Sequence, residues 1–116
     1  MNIEDICRIC SKLPAVTEDI KWGHDLCFCV AKKMFLVVGL DESPTHVAFK
    51  AADEEFEEMS SREGFKPAPY LARHKWVAVD DLERLNHKEW EDYINRAYQL
   101  IKSKLPKNIR KGIENL

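Results

Sequence analysis

Apolar residues recur along this chain at two spacings, one typical of helices and one typical of strands. Near the start, a stripe at helical spacing predicts a helix over residues 3–12, which Pro14 ends. A longer stripe near the end predicts a helix over residues 87–105, which Pro106 ends. The apolar positions of the two stripes are Ile3, Ile6, Cys7, Cys10 and Leu13, and Trp90, Tyr93, Ile94, Ala97, Ile101 and Leu105.

The start of the second helix carries the clearest local signal. Asn86 is a suitable N-cap, and Glu89 stands three residues later, as in a capping box with asparagine in place of serine or threonine. Leu85 and Trp90 occupy the two positions of a hydrophobic staple. We therefore expect Trp90 to be anchored in the core at the first turn of this helix.

The middle of the chain is rich in short apolar runs separated by turn residues. These runs predict five strands, at residues 17–22, 26–30, 34–40, 46–50 and 76–79. The connections at residues 23–25, 31–33 and 41–45 are short, which favours antiparallel neighbours. We expect Trp76, in the last strand, to anchor the core together with Trp90.

A short acidic helix is predicted between the fourth and fifth strands. Asp53 is a candidate N-cap for a helix that reaches Ser61, and Gly64 can supply a left-handed stop. Pro67 and Pro69 then keep residues 66–70 extended or turning, because neither residue can donate a ladder hydrogen bond. The acids of residues 53–58 fan around a helix, which is typical of a solvated face.

These elements indicate an α+β fold, a two-layer sandwich in which the N- and C-terminal helices cover one face of a largely antiparallel five-stranded sheet. At 116 residues the chain is long enough for one domain, which we assign to residues 1–116. Residues 107–116 are either a last helical turn or a frayed tail.

Composition and charge are those of an ordinary globular protein, but the charge is unevenly distributed. The net charge is −2, with −7 over residues 1–95 and +5 over residues 96–116. No apolar run approaches the length of about 20 residues that a membrane span needs, and no basic segment followed by an apolar core begins the chain. We expect a cytoplasmic protein with reduced thiols.

Four cysteines raise the question of a zinc site formed by the pairs Cys7/Cys10 and Cys27/Cys29. The first pair lies on the helix stripe that must face the sheet. If the larger apolar residues Leu26, Phe28 and Val30 face the helices, the second pair lies on the other side of the sheet. We therefore predict small buried or sheet-face thiols, with no metal and no cofactor.

Nucleophilic catalysis has one weak candidate, in which Asp25 orients His24 as a base near Cys27. The other histidines, His46, His74 and His87, stand in or beside turns without paired spacing. No third member of a catalytic group is evident, and no glycine-rich phosphate loop occurs. We predict that the protein is not an enzyme.

Two basic turns are candidates for contact with nucleic acid. Lys32 and Lys33 lie in a predicted hairpin turn, and Arg73, His74 and Lys75 precede the last strand. Basic side chains at exposed turns can contact backbone phosphates at a spacing that the sheet fixes. Trp22, Tyr70 and Trp76 could stack on bases, although aromatic residues in such a sheet more often belong to the core.

Three segments in a specific order resemble the MmcQ/YjbR family of small bacterial proteins. They are Leu13-Pro14 through Trp22-Gly23, Lys33-Met34-Phe35, and the run from Pro67 to Val77, which reads PAPYLARHKWV. The resemblance implies a frataxin-like (CyaY-like) fold and a DNA-binding function attributed to a double-wing arrangement of hairpins. It places Lys32 and Lys33 on one wing, with Arg73, His74 and Lys75 near the other basic surface.

We therefore expect a small, monomeric, non-enzymatic binding domain that contacts DNA phosphates weakly and without sequence preference. Its predicted contacts are Lys32, Lys33, Arg73, His74 and Lys75. The alternative is a module for protein interaction or small-ligand binding, in which Trp22, Tyr70 and Trp76 surround a groove beside the proline segment.

Overall fold

A computed structural model describes residues 1–41 and 43–116 of the chain. It contains four helices and six strands within these residues, and short 3-10 turns at Ala72–His74 and Leu82–Arg84. In chain order the elements are α1 (Ile3–Ser11), β1 (Val16–Lys21), β2 (Asp25–Val30), β3 (Lys33–Gly39), β4 (His46–Lys50), α2 (Phe56–Ser60), β5 (Phe65–Pro67), β6 (Trp76–Val79), α3 (His87–Lys102) and α4 (Lys107–Glu114).

The strands form one antiparallel sheet in the order β1-β2-β3-β4-β6-β5. The predicted α+β class is confirmed, but the sheet has six strands and not five. The additional strand is β5, in the proline segment for which only an extended or turning chain was predicted. Because β5 pairs on one side only and Pro67 is its last residue, the missing N–H groups of the prolines do not interrupt the ladder.

All four helices contribute to one core on the same face of the sheet, called the inner face below. Trp90 is fully buried there; its indole Nε1 donates a hydrogen bond to the Leu82 carbonyl at 2.8 Å, and its ring meets Phe49 edge-on. The helical core residues are Ile6 and Cys10 of α1, Met59 of α2, Trp90, Ile94, Ala97 and Tyr98 of α3, and Ile113 of α4. The predicted anchoring role of Trp90 agrees with this position.

The predicted capping box of α3 is present. The Asn86 side chain accepts a hydrogen bond from the Glu89 backbone at 2.8 Å, and the Glu89 carboxylate accepts one from the Asn86 backbone at 3.0 Å. The helix ends at Lys102, three residues before the predicted boundary. Leu105 is nevertheless buried, because the turn that follows α3 brings it back to the core.

The predicted N-cap of α2 at Asp53 is wrong. The helix begins at Phe56, and the residue at its N-cap, Glu55, makes no capping hydrogen bond with its side chain. The Asp53 carboxylate instead accepts a bond from the Lys50 ammonium at 3.4 Å. Lys50 is only 4% exposed, and a buried cation requires a polar partner more strongly than a short exposed helix requires a cap.

Two further segments of the prediction can be placed. Residues 107–116, for which a last turn or a frayed tail was left open, contain helix α4, and its Ile113 packs into the core. The predicted turn over residues 41–45 includes Glu42, which lies outside the described residues. In the part of the chain that the structure describes, no helix combines the length and apolar character that crossing a membrane requires.

Candidate ligand groove on the outer face of the sheet

The side of the sheet that faces away from the helical core, called the outer face below, carries mostly small residues in the middle strands. Strand register aligns four of them in one row, from Cys27 through Val37 and Ala48 to Ala78, and the row ends at Lys66 of the edge strand β5. Alternate residues of these strands, such as Phe28, Val47 and Val77, belong to the inner core. The small side chains in the middle of the outer face therefore form a flat surface, called the floor below, on which a ligand can lie.

The cysteines follow the same alternation. Cys10 lies in the inner core and Cys7 packs against it, whereas Cys27 and Cys29 belong to the outer face. The two pairs are thus separated by the sheet and cannot converge on one metal ion. Among residues 1–41 and 43–116, no three side chains of His, Cys, Asp or Glu come together in a way that could hold a metal.

One wall of the outer face is the turn between β1 and β2. Trp22 and Gly23 both have positive φ, at 55° and 76°, and the His24 N–H donates to the Lys21 carbonyl at 3.3 Å. Type I′ hairpin turns require positive φ at both central residues and favour asparagine and glycine there. A tryptophan at the first position is unfavourable for the turn, and its side chain is 66% exposed.

The opposite wall is the segment from Lys66 to Leu71, which comprises the end of β5 and the connection to the 3-10 turn before β6. Backbone hydrogen bonds fix it to the start of β6: the Ala68 N–H donates to the Trp76 carbonyl at 3.0 Å, and the Trp76 N–H donates to the Leu71 carbonyl at 3.3 Å. Tyr70 stands at the outside of this wall, with φ of 66° and 98% exposure.

The predicted position of Trp76 needs one correction. Trp76 is buried, at 4% exposure, but its register partner is Lys50, so it lies on the outer face and outside the helical core cluster. Its neighbour Val77 takes the inner position. The sequence run Trp-Val-Ala-Val does not indicate which face of the sheet each residue takes. Alternate residues of a strand point to opposite faces, and here the residues on both faces are apolar.

Between the two walls lies a groove of about 780 Å³, called the outer groove below. Its floor is formed by Met34, Val37, Ala48 and Ala78; Trp22, His24 and Asp25 lie at one wall and Lys66, Ala68, Pro69, Tyr70 and Leu71 at the other, with Gly39, His46 and Val47 completing the lining. Apart from Asp25, Lys66 and the two histidines, the lining side chains are mainly apolar. Trp22 and Tyr70 of the predicted aromatic set line the groove, and Trp76 does not.

The His24–Asp25 pair lies at the groove. His24 Nδ1 is 2.9 Å from the Asp25 carboxylate, and the Cys27 thiol approaches the Asp25 carbonyl at 3.8 Å. Burial raises the pKa of the Cys27 thiol to about 11, so almost no thiolate forms at neutral pH. This arrangement supplies polar contacts for a ligand but a poor nucleophile.

The five residues predicted to contact DNA come from two turns at one end of the sheet. Strands β3 and β6 both begin at this end, and the end of β4 lies between them: the Ala51 N–H donates to the Lys75 carbonyl at 2.9 Å. Two strand spacings, or about 10 Å at the backbone, therefore separate Lys33 from Lys75. The turns are close in space although 40 residues separate them in the chain.

The side chains of these turns are largely unpaired. Lys32, Lys33 and Arg73 form no ion pair with any residue of the described ranges. Lys75 places its ammonium 5.0 Å from the centre of the Phe56 ring. Burial lowers the pKa of Lys50, at the same end of the sheet, and the charges of Lys104 and Lys75 lower it further, whereas Asp53 opposes the shift.

Sequence reasoning found the aromatic residues of the outer groove but not its floor. Ala48 and Ala78 are inconspicuous in the sequence, and only the register that pairs them across β4 and β6 gives them a common surface. The sequence did contain a signal for one wall of the groove, because Pro67 and Pro69 restrict the conformation of the segment that forms it.

The architecture and the groove together define a two-layer α+β protein with helices on one face of its sheet and an open, partly apolar face on the other. The YjbR family model matches residues 11–100, so the chain belongs to the YjbR family and the predicted resemblance is confirmed. No curated protein matches the sequence.

Two solved structures show the same fold. Protein DR2400 of Deinococcus radiodurans, assigned to the domain DUF419, has a TM-score of 0.88 at 21% identity, over 97% of this chain and 88% of that chain. A protein from Pseudomonas syringae has a TM-score of 0.70 at 19% identity, over 86% of this chain and 98% of that chain. At these identities the likeness shows the fold alone.

Proposed function

We propose that this protein is a non-enzymatic binding protein whose ligand is a small, mainly apolar organic molecule held in the outer groove. The observation that carries the proposal is the pair Trp22 and Tyr70, two large aromatic residues that are mostly exposed and that stand on opposite walls of the groove. Exposed aromatic side chains around a concave apolar surface are a typical feature of binding sites.

The backbone conformation of Trp22 and Tyr70 also supports a binding site in the outer groove. Trp22 and Tyr70 both have positive φ, which is unfavourable for bulky side chains and costs roughly 1–2 kcal/mol per residue. Strain of this kind persists where the surrounding structure enforces it, and it is frequent at ligand-binding sites. Since neither side chain is buried, the fold gains little from them that would offset the strain.

The dimensions favour a small molecule over a protein partner. A volume of about 780 Å³ lies within the range of roughly 300–1,000 Å³ that is usual for small-molecule sites. A stable protein interface needs about 800 Å² from each partner. The groove is concave and bounded by two walls, so it suits a compact ligand better than a broad surface.

A fluorescent apolar probe tests the proposal. N-phenyl-1-naphthylamine, which is uncharged, is titrated into the native protein, and its emission is followed. We expect saturable binding at one site. Ala48→Leu, which places three extra carbons on the floor, should weaken binding at least about tenfold, as for a lost contact of about 1.4 kcal/mol. Thr17→Leu is the control, because it places the same leucine side chain at an exposed outer-face position away from the groove.

Two outcomes would overturn the proposal. One is the absence of saturable binding to the folded wild-type protein. The other is equal binding by the Ala48→Leu and Thr17→Leu variants, which would locate the probe elsewhere. Near-UV circular dichroism of each variant checks that the native packing is retained.

DNA binding is a second candidate, favoured by the two basic turns that lie at one end of the sheet with largely unpaired side chains. The connection from Ala51 to Glu55 runs between these turns and carries acids. Asp53 and Glu55 are paired with Lys50 and Arg96, whereas Glu54 forms no ion pair with a residue that the structure describes. With a net charge of −2, we expect weak and salt-sensitive binding.

Fluorescence anisotropy of a labelled duplex at a series of salt concentrations tests this candidate. If both lysines contact phosphates, Lys32→Ala/Lys33→Ala should reduce the salt slope by roughly one to two units. Lys21→Ala/Lys88→Ala removes the same two charges away from the two turns and controls for the change in net charge, since Lys21 lies at the opposite end of the sheet from Lys33 and Lys88 lies on α3. No detectable binding at low salt, or equal slopes for the two variants, would rule DNA contact out.

A further inference from the structure

The charges at the outer groove are distributed asymmetrically between its walls. Lys66 lies at the wall formed by β5, whereas Asp25 and His24 lie at the wall formed by the turn between β1 and β2. A ligand that spans the groove therefore meets a cation at one end and a carboxylate paired with an imidazole at the other.

The position of Lys66 follows from the register. Lys66 is the Cα partner of Ala78, and Ala78 is the partner of Ala48, so all three side chains project from the outer face. Lys66 is exposed and makes no ion pair with a residue in ranges 1–41 and 43–116. Its ammonium is thus available to a ligand that lies on the two alanines.

The floor has a shape that suits a flat group. Ala48 and Ala78 are direct partners in neighbouring strands, and their methyl groups stand side by side with no larger side chain between them. Planar ring systems gain contact with such a surface on one side. Trp22 and Tyr70 offer aromatic edges and faces at the two walls, where offset or edge-to-face packing is favourable.

We propose that the ligand is an aromatic acid, a flat apolar ring system with one anionic group that pairs with Lys66. Its rings lie on Ala48 and Ala78 between Trp22 and Tyr70. The reverse orientation would bring the anion to Asp25, where two negative charges would repel each other. This inference rests on the proposed function, because it assigns a ligand class to the same groove.

Two probes with the same ring skeleton separate the charge from the apolar contact. 8-Anilinonaphthalene-1-sulfonate carries a sulfonate, and N-phenyl-1-naphthylamine lacks it. Both are titrated into the wild-type protein and into Lys66→Gln and Lys88→Gln at low ionic strength. The quantity compared is the ratio of the two affinities within each protein, which cancels effects on the apolar contact that the probes share.

We expect the sulfonate to bind about three- to fivefold more tightly than the neutral probe in the wild-type protein, the gain expected for an exposed ion pair. The ratio should fall to about one in Lys66→Gln and stay at the wild-type value in Lys88→Gln, which removes the same charge from α3. Ala48→Leu should weaken both probes, which places them in the outer groove.

Three results would overturn the inference in distinguishable ways. Equal affinities of the two probes for the wild-type protein would show that the groove does not recognise an anion, while the proposed binding function would stand. Equal ratios in Lys66→Gln and Lys88→Gln would show that the sulfonate does not pair specifically with Lys66, with the same consequence. Failure of both probes to bind would remove the inference and the proposed function together.

Discussion

Two tryptophans of this chain provide a test of the outer face, because they differ in burial and not in chemistry. Trp76 is buried on the outer face at 4% exposure, and Trp22 lines the outer groove at 66% exposure. Replacing each by alanine removes the same atoms. The two variants should therefore differ strongly in the free energy of unfolding.

The expected cost of Trp76→Ala follows from its burial. A buried tryptophan removes roughly 150–250 Å² from water, and at about 25 cal/mol per Å² this corresponds to roughly 4–6 kcal/mol as an upper value. Truncation of buried aromatic residues costs about 3–5 kcal/mol, which we take as the expected range. With an unfolding entropy of about 2.1 cal/mol/K per residue over 116 residues, each kcal/mol lowers Tm by about 4 °C. The variant should melt about 12–20 °C below the wild-type protein.

Trp22→Ala should change the free energy of unfolding by less than about 1 kcal/mol. Little apolar area returns to water, and alanine is less strained than tryptophan at a φ of 55°. Urea titrations followed by far-UV circular dichroism measure both variants without relying on tryptophan emission. If Trp76→Ala is unfolded at 25 °C, Trp76→Phe provides a smaller and measurable loss.

A loss below about 1 kcal/mol for Trp76→Ala would refute the assignment of Trp76 to a packed position on the outer face. Equal losses for both variants would show that Trp22 is packed into the fold and not presented at the groove. In the second case the main support for the proposed function would be gone.

Three further predictions concern the helix cap, the buried lysine and the thiols. Asn86→Ala removes one side of the capping box with Glu89 and should lower the free energy of unfolding by about 1 kcal/mol in a urea titration. Burial lowers the pKa of Lys50 in the folded protein, so the unfolded chain binds the extra proton and stability rises with pH up to the ordinary lysine pKa of 10.5. The wild-type protein should therefore gain stability relative to Lys50→Met between pH 8 and about pH 10.5, and an unchanged or falling difference would contradict this sign. Cys27, fully buried and with its pKa raised to about 11, should react with Ellman's reagent at pH 8 much more slowly than in an unfolded control in urea. Mass spectrometry of the labelled peptides separates it from the partly exposed Cys7, and rapid labelling of Cys27 in the native protein would contradict its burial.

The sequence allowed α1, α3 and most strands to be predicted, because their signals lie within a few neighbouring residues. The box at Asn86 and Glu89, the stripe of α3 and the short connections between the first four strands all depend on local spacing. The error in α2 arose where tertiary packing overrode a local signal. The start of α2 was misplaced because Asp53 resembles a cap, and its use by Lys50 depends on the burial of that lysine.

The sequence by itself determined the class of fold, the family resemblance, and the presence of two exposed turns with basic residues. Only the tertiary structure decided that these turns share one end of the sheet, that the proline segment forms a sixth strand and a wall, and that Ala48 and Ala78 form a common floor. The physical reason is that helices, caps and turns depend on interactions between near neighbours. A groove, in contrast, depends on strand register, which brings together residues that are tens of positions apart.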